Sequence, residues 1–347
     1  MAGDTNIEWA TKVWNPIAGC SVISPGCTNC YAMKMAARVE AMAAGLDRTS
    51  AYDGLTVKTK AGAVWTGEVR VVESAMFQPL SWRKPERVFV NSMSDLFHEG
   101  VPDRVIDRVV AVMARTPRHT YIILTKRSAR MRDYFARLPD RMRDLDCDSA
   151  LDSVDLPLPN VWLGVSAEDQ VRLVARVPDL CRTPAAVRVV SAEPLLGKLD
   201  FCSIPVGFGR LLDAFSGIVT GDNGEVDWVG RVHGVCVGGE SGLRSRPCWV
   251  PNVRSVVRQC ADTGAAAFVK QLGARVLDRN DAGFDGCEDD SWPDLDPDRV
   301  EEDLDGHRDG YQGAPVRIRL DDRKGADMAE WPVDLRIRQF PQPAEAA

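Results

Sequence analysis

Six short apolar runs, each ending in a polar cluster, constrain this chain more than any other feature. They are Arg87–Ser92 (RVFVNS), Thr120–Thr125 (TYIILT), Asn160–Ser166 (NVWLGVS), Val187–Ser191 (VRVVS), Val232–Gly238 (VHGVCVG) and Ala265–Lys270 (AAAFVK). Their apolar character is continuous rather than alternating. That predicts strands covered on both faces, as in a parallel sheet. Amphipathic helical stretches lie between the runs. In Pro102–Ala114, Val105, Val109, Val112 and Met113 fall on one side and Asp and Arg on the other. Strand and helix in alternation predict right-handed βαβ units, closing into a barrel or opening into a doubly wound sheet. The fold class expected is α/β with parallel strands.

The polar clusters are Ser92–Met93–Ser94–Asp95, Thr125–Lys126–Arg127, Ser166–Ala167–Glu168, Ser191–Ala192–Glu193, Gly238–Gly239–Glu240–Ser241 and Lys270–Gln271. One such cluster would only end a strand. In a barrel, six would converge on the rim at the carboxyl ends of the strands, where catalytic groups of such folds stand. Lys126, Arg127 and Lys270 suit an anionic group there, and Glu168, Glu193 and Glu240 suit hydroxyls, an ammonium group or substrate protons. Each Glu has a second reading as the ion-pair partner of one of those cations. Gly238 and Gly239 match neither phosphate-loop pattern. They would either bring bare N–H groups to an anion or form a tight turn. Asp95 and His98 follow the Arg87–Ser92 run in SDLFH, and a lone His there is more often structural.

Composition sets the outer limits. With 45% apolar residues in 347, the chain has material for a real core, which excludes a disordered, collagen-like or coiled-coil protein. No stretch approaches the roughly 18 apolar residues of a membrane helix. The opening MAGDTNIEWATKVW has no secretory pattern, so a cytoplasmic protein without membrane contact is expected. The net charge of −7 is uneven: Asp278 to Asp309 hold 14 acidic residues against three Arg, leaving the remainder mildly basic. That segment, rich in Gly and Pro, is expected to be a solvated, flexible insertion. Three parts follow: residues 1–275 as the α/β domain, 276–312 as the acidic insertion, and 313–347 as a C-terminal segment packing back on the first part.

Ten cysteines are present, and three of them, Cys20, Cys27 and Cys30, crowd into eleven residues of WNPIAGCSVISPGCTNCYAMKMAARVEAM. Pro25–Gly26 forces a turn, and from about Asn29 the pattern becomes helical, with Tyr31, Met35, Val39 and Met42 at helical spacing. The thiols therefore sit on a loop leading from the first strand into the first helix, spaced C-x6-C-x2-C. A structural zinc site wants four ligands, of which the segment supplies three. A redox CxxC or incidental thiols form a second reading. The third is a [4Fe–4S] cluster held by three thiolates, with one iron left open.

Three loop cysteines after strand one of a complete or partial barrel resemble the radical S-adenosylmethionine (SAM) enzymes, although the first gap is six residues where that superfamily has three. The phrases WNPIAGCSVISPGCTNCYA, FVNSMSDLFHEGVP, ILTKRSARM, NVWLGVSAEDQ, VVSAEPLLG and FVKQLG are similar to the phage gene product thirty-seven/sixty-eight family, or three-Cys-motif proteins. The resemblance spans about Ile7 to Gly273 and resumes at DRKGADMAEWPVDLRIRQFP. It implies Cys20, Cys27 and Cys30 as cluster ligands, with SAM chelated to the open iron and cleaved to a 5′-deoxyadenosyl radical that abstracts hydrogen from substrate. Ser92, Ser94, Ser166, Ser191, Gly238, Gly239 and Glu240 would then serve SAM, and Glu168, Glu193, Lys126 and Lys270 the chemistry. A flavodoxin- or ferredoxin-like reductant is implied, with a nucleotide, nucleobase or nucleic acid as substrate. A peptide or protein substrate, brought by a separately encoded partner, is one alternative. A zinc-stabilised, non-catalytic nucleic-acid-binding or scaffold protein is the other.

Overall fold

The structure, a computed structural model, describes residues 2–60, 62–144, 155–242, 244–279, 300–302 and 315–342. The fold is mixed α/β with a large, mostly parallel sheet. The chain divides into two compact units. Among the described residues, the first lies within 2–165 and 179–188, and the second within 166–178 and 189–342.

In the first unit the strands β1 (Ala2–Asp4), β2 (Lys12–Trp14), β3 (Arg87–Val90), β4 (Thr120–Thr125) and β5 (Val161–Ser166) are neighbours in that order. Only β1 runs antiparallel to its neighbour. Every residue of β5 is buried, as the continuous apolar run predicts for a strand covered on both faces. The helix α1 (Tyr31–Ala44) follows the cysteine loop, and α2 (Asp103–Ala114) follows β3. On α2 the buried stripe includes Val105, Val109, Val112 and Met113, as its periodicity predicts. Asp107 is buried beside them because Tyr134 donates to it at 2.8 Å and Arg141 at 2.9 and 2.7 Å.

The face of α1 differs from what its apolar spacing suggests. Ala32, Met33 and Ala36 are buried against Tyr52, Leu55, Trp65 and Met93, with Cys20, Cys30 and Val39 packed on that cluster. Tyr31, Met35 and Met42 point to solvent. Small side chains let the helix approach closely, so alanines take the inner face and the larger residues are left outside.

The second unit carries β6 (Val187–Ala192), β7 (Gly234–Gly238) and β8 (Ala266–Gln271), paired parallel from Val189 onward. Helix α3 (Val250–Thr263) precedes β8 and ends on Gly264 at φ +72°, a left-handed stop that glycine adopts without strain. A four-stranded antiparallel sheet covers Ile204–Pro205, Leu211–Asp213, Ile218–Thr220 and Val226–Trp228. The C-terminal stretch runs along β8, with Gln339 N–H donating to Ala267 and Val269 N–H to Ile337. Of the acidic segment, Val276–Arg279 is a strand paired antiparallel with Pro315–Ile318, which also pairs with Val300–Glu302. Residues 280–299 and 303–314 lie outside the described residues, and so does the flexible insertion expected there. Among the described residues, no helix is long and apolar enough to cross a membrane.

Candidate metal centre

The cysteine loop is fixed at both ends before its thiols come into play. At the end of β2, the buried Asn15 side chain accepts from Met93 N–H at 3.1 Å and from the Ser92 hydroxyl at 3.2 Å. Ile17–Ala18 then pairs antiparallel with Arg70–Val71. Gly19 follows at φ +91°, where an added Cβ would stand 2.2 Å from the Glu68 carbonyl oxygen. Only glycine delivers the chain to Cys20 along this path. Ser24 and Pro25 begin a 3₁₀ turn over Pro25–Cys27, in which Cys27 N–H donates to Ser24 at 2.9 Å. Cys30 N–H donates to the Cys27 carbonyl at 3.2 Å, and Cys30 is the N-cap of α1. Cys27 and Cys30 thus stand one turn apart at a helix start, where the first backbone N–H groups have no acceptor within the helix itself.

All three thiols are free of disulfides and partly buried. Burial pushes the Cys20 thiol up to about 12; the Asp95 carboxylate adds to this and the Arg127 guanidinium opposes it. Burial also raises the Cys30 thiol, against the backbone N–H groups of Ala32 and Met33 and the charge of Lys126. The Lys126 side chain has no carboxylate partner among the described residues. Cys27 lies within electrostatic reach of both other thiols. The Cys20 and Cys30 thiols stay protonated near neutrality until a metal displaces their protons.

Beside Cys20 is a buried polar cluster that accounts for Arg127 completely. Its Nε donates to the Glu99 carboxylate at 2.9 and 3.0 Å, its Nη1 to Asp95 at 3.0 Å, and its Nη2 to the Ser21 hydroxyl at 2.6 Å. Asp95 also accepts from the Thr125 hydroxyl at 2.7 Å and from the N–H groups of Phe97 and Lys126. Ser21 Oγ lies 3.0 Å from His98 Nε2, while His98 Nδ1 accepts from Gly100 N–H at 3.1 Å. The neutral imidazole therefore carries its proton on Nε2 and donates to Ser21. This is the reverse of a nucleophile–base pair. Burial, with Arg127 nearby, lowers the His98 pKa and keeps the ring neutral. Arg127 is a clamp on the loop rather than a free anion binder.

Among the described residues, no group of three or more His, Cys, Asp or Glu side chains is placed to hold a metal ion, so the three thiols do not converge on one point. The donor set fits an iron–sulfur cluster in kind. Three soft thiol donors share one short, turn-rich loop, with cations near Cys20 and Cys30 and a helix N-terminus at Cys30.

The remaining sequence candidates fall into distinct settings. In the first unit, Ser94 donates to Ile17 O at 2.9 Å, and the Ser92 carbonyl accepts from Tyr31 at 2.5 Å, so both brace the cysteine loop. In the second unit, Glu168 is fully buried and accepts from Arg176 at 2.9 Å, which also holds the Ser166 carbonyl at 2.7 Å. Glu240 is held by Arg246 through Nε at 3.1 Å and Nη2 at 2.7 Å. An added Cβ would lie 2.1 Å from Leu272 O at Gly239 and 2.9 Å from Gln271 O at Gly238. Close backbone packing is reason enough for both glycines. Glu193 gathers the others: Lys270 Nζ lies 3.0 Å from Oε1, and the Ser191 hydroxyl and Cys236 thiol donate to Oε2 at 3.4 and 3.2 Å. Sequence reasoning left Ser21, Glu99 and Cys236 out. The period-two position of Cys236 on β7, level with Ser191 on β6, was the available signal.

The chain matches the family described as "Protein of unknown function (DUF5131)" over residues 4–312 and belongs to it. No curated protein sequence matches it. Among solved structures, a mutant of spore photoproduct lyase is distantly similar, with a TM-score of 0.34 and 10% identity over 92% of this chain and 72% of that one.

Proposed function

We propose that this protein is a radical SAM enzyme, cytoplasmic and built on an incomplete parallel barrel, as the resemblance to the phage gene product thirty-seven/sixty-eight proteins implies. The observation that carries this is the C-x6-C-x2-C loop between β2 and α1, whose three thiols are free, close together in sequence and flanked by Arg127 and Lys126. Cys20, Cys27 and Cys30 would hold a [4Fe–4S] cluster. With SAM bound, such a cluster would supply one-electron reductive cleavage and hydrogen-abstraction chemistry.

The chain's own residues have separable tasks in this reading. Lys126 offsets the negative charge of bound thiolates, Arg127 clamps the loop through Ser21, and Asn15, Ser94 and Gly19 set its path. In the second unit, Lys270 and Ser191 hold the Glu193 carboxylate for a donor on substrate or cofactor. Glu168 and Glu240 hold their strand ends through Arg176 and Arg246. The mildly basic body and Lys126 favour an anionic substrate, read here as a nucleotide, nucleobase or nucleic acid. The test is anaerobic incubation with SAM and dithionite. Formation of 5′-deoxyadenosine that requires all three cysteines supports the reading. A brown protein that leaves SAM intact removes the radical chemistry.

A further inference from the structure

Two exposed apolar patches on this chain carry charge of opposite sign. The first lies in the first unit, on the stretch that leads into β3. Phe77 and Leu80 are 52% and 43% exposed, and Arg83 and Lys84 follow them on the surface. The stretch is braced from within the chain. Arg118 donates to the carbonyls of Trp82 and Leu80 at 2.8 and 3.3 Å, the Arg108 guanidinium lies over the Phe77 ring at 5.4 Å, and the Lys12 ammonium lies over the Trp82 ring at 5.6 Å. Glu73 neutralises Arg108, and Asp4 neutralises Lys12. Arg83, Lys84 and Arg118 have no carboxylate partner among the described residues. This patch is apolar and basic.

The second lies in the second unit, on the four-stranded antiparallel sheet within 204–228. Its register sets Leu211, Thr220 and Val226 in one row and Asp213, Ile218 and Trp228 in the next, all on one face. Leu212 and Val219 point the other way and are buried. On the outer face Trp228 and Val226 are 69% and 55% exposed, with Leu211 exposed as well and Phe208 fully exposed at the turn before it. Asp222 and Glu225 lie exposed just ahead of the last strand, and neither has a cationic partner among the described residues. Asp227 is already engaged, by Arg210 at 3.3 Å and by Trp228 N–H at 2.8 Å. This patch is apolar and acidic.

Neighbouring exposed apolar residues rimmed by charge mark interaction sites. We propose that these two patches are the halves of one interface, and that the partner is a second copy of this chain, its acidic sheet face seated on the basic stretch of the first. The inference is independent of the enzyme reading and of the cysteine loop. Trp228 and Val226 meet Phe77 and Leu80 at the apolar centre, while Asp222 and Glu225 meet Arg83, Lys84 and Arg118 at the rim. A polyanion would be repelled by the sheet face, and an acidic protein would leave it uncovered. A second copy satisfies both patches because it carries both signs. The two surfaces differ, so the contact is heterologous, and association continues from copy to copy until it closes on itself.

The test is analytical ultracentrifugation of the full chain from about 1 μM to about 300 μM. At about 50 mM salt the mean mass is expected to rise with concentration, and at about 300 mM salt the association should weaken severalfold. Arg83→Glu/Lys84→Glu makes both patches acidic, and Asp222→Lys/Glu225→Lys makes both basic. Each variant alone should associate about tenfold more weakly, with its melting temperature unchanged. Mixed in equal amounts, the two should associate again, because each supplies the surface that the other has lost. Trp228→Ser, which removes the largest side chain of the centre, should also weaken association about tenfold. A chain that stays monomeric throughout, association that survives in either charge variant, or a mixture that does not recover it overturns the inference. None of these outcomes depends on whether the cysteines take up iron.

Discussion

The Arg127 guanidinium donates to the Ser21 hydroxyl at 2.6 Å, one residue past Cys20, while its other nitrogens hold Asp95 and Glu99. A single buried cation thus ties the loop after β3, the tip of β4 and the cysteine loop together. Removing it leaves Asp95, only 5% exposed, as an uncompensated charge. Arg127→Gln is therefore expected to destabilise the protein by about 3–5 kcal/mol. Urea unfolding of the metal-free protein reads this directly. Ser21→Ala leaves the ion pairs intact but removes the acceptor shared by Arg127 and His98, and is expected to cost about 1–3 kcal/mol.

The thiols give a prediction with an internal control. Cys20→Ala, Cys27→Ala and Cys30→Ala should each lose iron almost completely on anaerobic reconstitution. Cys181→Ala, which alters a buried thiol of helix Gln170–Arg182, should retain it. Equal loss in all four variants would show that the ligands have been wrongly assigned.

Metal loading should depend on pH in one direction. The Cys20 thiol titrates at about 12 and the Cys30 thiol is also raised, so both are protonated in the empty loop at neutral pH. Binding as thiolates releases those protons, so affinity rises with pH. Cobalt(II), whose thiolate charge-transfer band reports ligation, should bind more tightly at about pH 8.5 than at about pH 6.5. A flat profile would mean that thiolates are not the ligands. The same shift predicts that the metal-free fold weakens above about pH 9. The unfolded chain gives up those protons first, and the stability is lost as pH climbs toward the folded value.

His119 predicts the acid side. It is fully buried, and among the described residues neither ring nitrogen makes a hydrogen bond of good geometry; burial together with the Arg118 charge lowers its pKa, against the nearby Pro79 and Trp82 backbone. A histidine depressed in the folded state binds its proton first when unfolded, so stability falls as pH drops below about 6.5. His119→Phe keeps the ring contacts with Trp82 and Tyr121 and removes the buried polar atoms. It should stabilise the protein by about 1 kcal/mol or more and flatten the loss between about pH 6.5 and pH 5. Thermal melts across that range decide it.

Much of this architecture is legible in the sequence, for identifiable reasons. Strand β5 declares itself because burial on both faces leaves no room for polar residues, and the cysteine loop because Pro25–Gly26 interrupts it. The orientation of α1 is not legible. Its largest apolar residues recur at helical spacing, yet Ala32, Met33 and Ala36 form the packed face. Periodicity alone cannot separate a core stripe from an exposed one when alanines supply the close contact. Polar partnerships are also hidden. Lys126 and Arg127 are neighbours of like charge in the sequence, but Asp95, Glu99 and Ser21 consume Arg127 and leave Lys126 to act on Cys30. Cys236 looks incidental until β7 is set beside β6 and its thiol meets Glu193.

Elemental and spectroscopic analysis of anaerobically purified protein tests the central claim most directly. The account predicts a brown protein with about four iron and four sulfide per chain and a reducible cluster signal. Colourless protein holding stoichiometric zinc and no sulfide would contradict it.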